Sequence, residues 1–439
     1  MQVHSQGPVT LDCQGHNIES AWPALQPLLV QNSHNFTIQN CNIGLSAEFQ
    51  SPTVQIQTSS NGTLQNNSFL QSPVATDNNT LAVVSSDSIT FANNTFSVPY
   101  SQIYTTNSHI TNNSFSCMAA SCSGMISSNL GSGNIISNNT IDGKASTDQV
   151  AVSTGTDDGI IVGDESSDTV DGNTITNTFD CGIEFLGNVG YSSFNNNTMT
   201  NTSFCGIGGW YYISFVANIV HGNAVSGAAN LFTFMRYYGL RAANWDGHGA
   251  AADTGVYFTE NTFDGNSITN LYPTTYNGPA NGYSAYIPFD QSGDYLDFDN
   301  TLNHSTETFP TPSQFHLTGN SFSNNNFGPA VAFLGEPAYP GAVTDKGNNV
   351  CVQQSFSDYP LACGRQPCGS QANPWNGQTI LLTSATHVGQ WAQRIANGTC
   401  EMGTYSRPIT RSGVTNYSWV QQSRVACSVP AGTWCPAPP

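Results

Sequence analysis

One phrase recurs along this chain: an apolar residue, a polar pair or triplet ending in Asn, a Ser or Thr, and a second apolar residue. It reads LQNNSFL at 64–70, FANNTFS at 91–97, ITNNSFS at 110–116, ISNNTID at 136–142, VDGNTIT at 170–176 and FNNNTMT at 194–200, then FTENTFD at 258–264 and LTGNSFS at 317–323. Its second apolar member falls at Phe69, Phe96, Phe115, Ile141, Ile175 and Met199, at separations of 27, 19, 26, 34 and 24 residues. A period of about two dozen residues is that of a solenoid. The length of 439 residues would otherwise suggest about three domains, but a solenoid grows without splitting.

Within each unit apolar and polar residues alternate over four to six positions, as in a strand with one buried face. A strand, an Asn-rich bend and another strand, repeated, predict the coils of a parallel β-helix. Asn suits the bend because it tolerates left-handed backbone angles and because its amide can bond the Asn one coil away at the spacing of paired strands. Asn67, Asn94, Asn113, Asn139, Asn173, Asn197, Asn261 and Asn320 are therefore expected to form an interrupted ladder. The following Phe, Ile or Met is expected to point inward and stack.

The opening GPVTLDCQGHNI (7–18), followed by these Asn turns, resembles the pectin-lyase-like superfamily. The resemblance spans residues 7–335 and implies an all-β fold, a right-handed parallel β-helix solenoid. It does not imply one activity, since that group holds lyases, hydrolases, epimerases, tailspikes and non-catalytic surface proteins. The solenoid is assigned to residues 1–341, with insertions at 234–249 and 271–312 where the phrase lapses. Residues 342–439 lack the phrase, carry most of the arginines and six cysteines, and read as a disulfide-rich C-terminal cap over the last coil or as a small accessory module using Trp375, Trp391, Trp419 or Trp434. Within this tail the segment 385–398, ATHVGQWAQRIANG, reads as a helix.

Composition bounds the partners. Charged residues make up 8% and the net charge is −19 with 9 Lys and Arg, so the surface repels nucleic acid and anionic membranes. No run of eighteen apolar residues predicts membrane insertion. Twelve cysteines, an even number, point to disulfides and an oxidising compartment: Cys13 with Cys41 and Cys181 with Cys205 by coil spacing, Cys117 with Cys122 by closeness in sequence, and Cys351, Cys363, Cys368, Cys400, Cys427 and Cys435 among themselves in the tail. The expectation is a secreted or cell-surface protein whose leader has been removed. Twelve Asn-x-Ser/Thr sequons allow glycosylation, although many lie in the turn phrase that uses Asn anyway.

Three successive coils align on glycine: DDGIIVG at Gly159, DCGIEFLG at Gly182 and FCGIGGW at Gly206. If Ile160, Val162, Ile183 and Phe185 face the core, alternation turns Asp157, Asp180 and Glu184 outward and makes Asp157 and Asp180 neighbours. Two such carboxylates raise one another's proton affinity, which produces a general acid beside a base, the pair that glycoside hydrolysis needs. The layout is similar to that of the polygalacturonase family. GTDD (155–158) stands near its first motif, with Asp157 or Asp158 as the acid, and FDC (179–181) keeps one aspartate of the second. The third coil lacks the family's histidine and no Arg-Ile-Lys follows, which argues against a galacturonate substrate. The other reading of the aspartates is that both bond backbone amides at a coil corner.

The insertion FMRYYGLRAANWDGHG (234–249) gathers Arg236, Tyr238, Arg241, Trp245, Asp246 and His248, the aromatic and hydrogen-bonding mix of a sugar subsite; its alternative is a loop covering the solenoid flank. No cofactor or metal spacing occurs. Calcium has one weak candidate, DQSGDYLDFD at 290–299, which matches no established loop. Two functions remain: a secreted glycoside hydrolase on a neutral or weakly charged polysaccharide, with Asp157 and Asp180 as the acid/base pair and Glu184 in reserve, and a non-catalytic, self-associating surface or fibre protein.

Overall fold

The computed structural model describes residues 1–20, 27–45, 54–70, 81–97, 100–117, 121–144, 155–202, 205–228, 230–235, 256–270, 293–297, 315–334 and 343–352 of the solenoid, and 379–380, 391–396, 399–405, 409–411, 414–416 and 419–425 of the tail. The described solenoid strands form one system of 36, each paired in parallel with its counterpart a coil away. The protein is an all-β, right-handed parallel β-helix.

One coil shows the plan. Gly155–Ser166, Thr169–Asp171 and Thr174–Thr178 make three strands, and Cys181–Gly190, Ser193–Asn195 and Thr198–Thr202 repeat them. The register joins Ile160 to Ile183, Val170 to Phe194 and Ile175 to Met199. Inward residues stack between coils as predicted. Phe69, Phe96 and Phe115 are buried, and their rings lie parallel at 4.5 Å between centroids.

Two bends of each coil carry ladders. At one, Asn67, Asn94, Asn113, Asn139, Asn173 and Asn197 continue through Asn223, Asn266, Asn325 and Asn349. Asn139 typifies the rung. Its Oδ1 accepts the main-chain N–H of Asn113 at 2.9 Å and that residue's Nδ2 at 3.0 Å, and its own Nδ2 donates to Ile110 O and to Asn173 Oδ1. Asn261 and Asn320 are not part of this series. They belong to a second ladder at the preceding bend, running Ser33, Ser59, Ser86, then Ser108, Asn134, Asp168, Ser192, Asn218, Asn261 and Asn320.

The two tasks assigned to one Asn are divided between neighbours. The residue before each rung takes the left-handed conformation: Asn66, Asn93, Asn112, Asn138, Gly172 and Asn196 at one bend, and Ser167, Tyr191, Ala217, Glu260 and Gly319 at the other. The rung itself is buried and closes the bend. The insertions do not disturb either series. Asn218 bonds Asn261, 43 residues on, and Asn261 bonds Asn320, 59 residues on.

Parallel pairing continues through Val343–Gly347 and Val350–Val352, past residue 341 where composition shifts. In the tail, the helix expected over 385–398 is instead a strand at Trp391–Ala396, paired antiparallel with Thr399–Tyr405. Ala396 faces Thr399, and the sequence between them, Asn-Gly, has the composition that favours tight hairpins over a continuing helix.

Asn139→Ala removes the acceptor for a buried N–H and a donor to a buried carbonyl, so it should lower unfolding free energy by about 2–4 kcal/mol. Asn138→Gly, at an exposed left-handed position, should change it by less than about 1 kcal/mol. Urea unfolding of both variants checks the division of labour.

Candidate functional site

The aligned glycines sit at the third corner of three consecutive coils, where the chain passes from Thr174–Thr178 into Cys181–Gly190 and their equivalents. They are needed for space. A Cβ on Gly159 would lie 2.5 Å from Ile175 Cγ2 and 2.7 Å from Gly182 O; on Gly182, 2.6 Å from Met199 Sδ and 2.9 Å from Gly206 O; on Gly206, 2.3 Å from Val225 Cγ2. Each glycine thus turns inward beside an Ile that also faces the core, and strict alternation breaks at this corner.

That break decides which aspartate meets which. Thr156 pairs with Thr178, an offset of 22 (178 − 156), whereas Ile160 pairs with Ile183, an offset of 23 (183 − 160). One extra residue is accommodated between them, a bulge-like slip of the kind that re-aims side chains near functional sites. Across it Asp158 Oδ1 accepts the main-chain N–H of Cys181 at 3.0 Å. Carboxylate oxygens of Asp158 and Asp180 and the Cys181 sulfur all lie within 4.8 Å of one another. Asp158 is buried, 4% exposed, and Asp180 is partly buried. Asp180 Oδ1 touches Cys181 Sγ at 3.6 Å, a contact without a proton because that sulfur is in a disulfide.

Cys181 and Cys205 occupy paired positions on adjacent coils and are disulfide-bonded, with Cα atoms 4.6 Å apart. Cys13–Cys41 and Cys117–Cys122 are bonded as well. The six tail cysteines have no described side chains. The Cys181–Cys205 bridge pins the coil of Asp180 to the next one at the residue adjoining the carboxylate.

Glu184 lies between the core residues Ile183 and Phe185 and so takes the opposite side of the strand, in a column with Ser127, Ile161 and Gly208. It is nevertheless buried, 6% exposed. The side chain of Asp157 and all of Arg236, Tyr238, Arg241, Trp245, Asp246 and His248 lie outside the described residues. What flanks that insertion is described: Asn230–Met235 pairs with the first half of Cys205–Val216 and Val256–Thr259 with its end. The insertion therefore leaves the same sheet as the aspartates, one coil beyond Cys205. Residues 290–292 and 298–299 of the acidic turn are likewise outside the described set.

Asp158, the alternative to Asp157 in the GTDD motif, is the residue whose carboxylate lies beside that of Asp180.

A model of the family described as "Periplasmic copper-binding protein (NosD)" matches residues 17–210, less than half of the chain. Copper favours imidazole, thiolate or thioether donors. The one described cluster of ligating side chains offers two carboxylates and a sulfur already in a disulfide, a donor set that does not fit copper. No curated protein matches the sequence. Among solved structures, the Dettilon tailspike protein is similar at 12% identity and TM-score 0.40, over 86% of this chain and 69% of that one. DFA-IIIase from Arthrobacter chlorophenolicus A6, solved without its lid in complex with GF2, has 12% identity and TM-score 0.40, over 75% and 82%. The A-module of the mannuronan C-5 epimerase AlgE4 from Azotobacter vinelandii has 12% identity and TM-score 0.35, over 79% and 89%. At these values the likenesses carry nothing about what this chain acts on.

Gly182→Ala forces a methyl group between Met199 and the next coil and should destabilise the fold by about 1–3 kcal/mol. Its thermal unfolding midpoint, compared with that of an Ala at Gly7, where nothing lies within 4 Å and no left-handed backbone is required, checks the close approach.

Proposed function

We propose that this chain, a right-handed parallel β-helix of the pectin-lyase-like superfamily, is a carbohydrate-active protein that hydrolyses a neutral or weakly charged polysaccharide. The observation that carries this is the approach of two carboxylates on adjacent coils, Asp158 and Asp180, within 4.8 Å. At that distance ionisation of one disfavours ionisation of the other. The more accessible Asp180 is the group able to reach a glycosidic oxygen, and Asp158, held by the Cys181 N–H, supports its proton from behind.

Hydrolysis then needs a second carboxylate to take the proton of the attacking water. Asp157, beside the same corner, is the candidate, with Glu184 in reserve. The proton lost by Asp180 to the leaving oxygen is balanced by the one gained from water. The insertion bearing Arg236, Tyr238, Arg241, Trp245, Asp246 and His248 supplies the sugar-stacking wall in this proposal, because its flanking strands continue the same sheet. Three disulfides support an oxidising compartment outside the cytoplasm.

A second function, a non-catalytic fibre or surface protein, draws on the Asp158 hydrogen bond to a backbone amide, which is a structural task. Reducing-end release from neutral and acidic polysaccharides separates the two. Asp180→Asn should lower kcat by about 10²–10⁴-fold, the usual worth of a positioned acid, with unfolding unchanged. Equal rates in the parent and Asp180→Asn would remove Asp180 from the mechanism. An inert parent that assembles into ordered filaments would favour the structural role.

A further inference from the structure

Glu165 occupies a place that the following coils give to hydrophobic side chains. It pairs with Val189, Val189 with Phe215, and Phe215 with Phe258, all three fully buried. Glu165 is itself only 4% exposed. Towards the preceding coil it meets Gly131, where a Cβ would fall 2.0 Å from Thr105 O and 3.0 Å from Glu165 Oε1. The missing side chain makes room for the carboxyl group. Oε1 accepts the Ser128 hydroxyl at 2.9 Å and lies 3.4 Å from Asn134 Nδ2.

Three residues on, Asp168 is a rung of the second ladder and is 2% exposed. The rungs around it are neutral: Ser108 and Asn134 before, Ser192, Asn218, Asn261 and Asn320 after. Its Oδ1 performs the acceptor task, taking the Asn134 N–H at 2.8 Å, and its own N–H donates to Ser192 Oγ at 3.0 Å. In Asn134, Asn218, Asn261 and Asn320 the second side-chain atom is a nitrogen that donates to a carbonyl of the preceding coil. In Asp168 that atom is an oxygen and has nothing to donate.

Glu165 Oε2 and Asp168 Oδ2 are both buried and meet no N–H or O–H of another residue, and the two carboxyl groups converge on Asn134, Asp168 on its main-chain N–H and Glu165 on its Nδ2. Two carboxyl oxygens hydrogen-bond only with a proton between them. We propose that Glu165 and Asp168 share one proton inside the solenoid and form a pH-sensitive latch across one bend of a single coil, closed while the proton is held and loosened by like-charge repulsion when it is lost.

The surroundings fit a proton and no other counter-charge. From the preceding coil the pair faces Ser128, Gly131 and Asn134, and from the following coil Val189 and Ser192; none of these titrates. Asp168 is the one charged group acting on Glu165 among the described residues. Burial, with Asp168 adding repulsion, pushes Glu165 up to about 9, and burial raises Asp168 as well. In the unfolded chain both carboxyls release their protons near pH ~4. Between that pH and about 9 the folded protein therefore holds more protons than the unfolded one. The pair's contribution is complete below the unfolded value and is lost as pH rises through the folded one. The latch acts in the fold whether or not the chain is an enzyme.

The test is the thermal unfolding midpoint from pH 5 to 10 for the parent, Asp168→Asn and Glu165→Gln, with proton release on unfolding at pH 7 read from the buffer dependence of the calorimetric enthalpy. Asn is the residue of the preceding rung and of three later ones, so Asp168→Asn keeps the ladder; Gln keeps the shape of Glu and can donate to Asp168. The parent midpoint should fall steadily towards pH 9, both variants should be flatter, and the parent should release about one proton more than Asp168→Asn. If Glu165→Gln does not fold, the comparison with Asp168→Asn decides alone. Parallel curves with equal proton release would overturn the proposal. So would stabilisation of the parent by calcium at pH 9 that EDTA abolishes, since a cation would then hold the two carboxylates together.

Discussion

The structure depends on one hydrogen bond made many times: a side-chain oxygen at a bend accepting the main-chain N–H of the corresponding bend one coil earlier. Bends are where a solenoid is weakest, because strand pairing stops there and leaves buried N–H groups without partners. An orphaned buried N–H costs about 1–3 kcal/mol, so bends closed only by packing would fray. Asn removes the deficit twice over, accepting through Oδ1 and donating through Nδ2 to a carbonyl the bend would otherwise strand. The residue before each rung makes this geometry available by taking a left-handed conformation.

Because the rungs bind coil to coil, they fix register, and register is what creates a site. Asp158 and Asp180 are 22 residues apart in the chain (180 − 158) and become neighbours because the offset between their coils slips from 23 at Ile160–Ile183 to 22 at Thr156–Thr178. The glycine column and the Cys181–Cys205 bridge then draw that corner together. Insertions can lengthen a coil greatly without disturbing its neighbours, as the bonds from Asn218 to Asn261 and on to Asn320 show. Loops of unlike length can thus be displayed beside a fixed corner, which is how a repetitive scaffold acquires a particular chemistry.

The first ladder was legible because its rung is almost always Asn and is followed by an inward Phe, Ile or Met. The second was hidden because its rungs vary among Ser, Asn and Asp, which share an oxygen at the right reach but no letter. A regularity was nonetheless available: Ser108, Asn134, Asp168, Ser192, Asn218, Asn261 and Asn320 each stand five residues before a rung of the first ladder. Its absence from the expected pattern is why Asn261 and Asn320 were assigned to the first ladder, and why nothing in the sequence analysis pointed to Asp168. Within the helix expected over 385–398, Trp391–Ala396 is a strand for a different reason, since its edge pairs with Thr399–Tyr405 and an Asn-Gly sequence disfavours helix at its end.

Sequence by itself determined the solenoid, its coil length, its inward stacks and three of its cysteine pairs, because each follows from residues recurring at a period the chain must fold around. It did not determine which carboxylates meet. Alternation holds along a straight strand, but at the glycine corner two successive residues face inward and the offset between coils slips, which brings the buried Asp158 beside Asp180. Nor did it reveal that Glu165 points into the core, since what admits a carboxyl there is the absent side chain of Gly131 one coil away, together with a rung that happens to be an acid. Tertiary structure decided both, because each is a relation between coils rather than a property of any one of them.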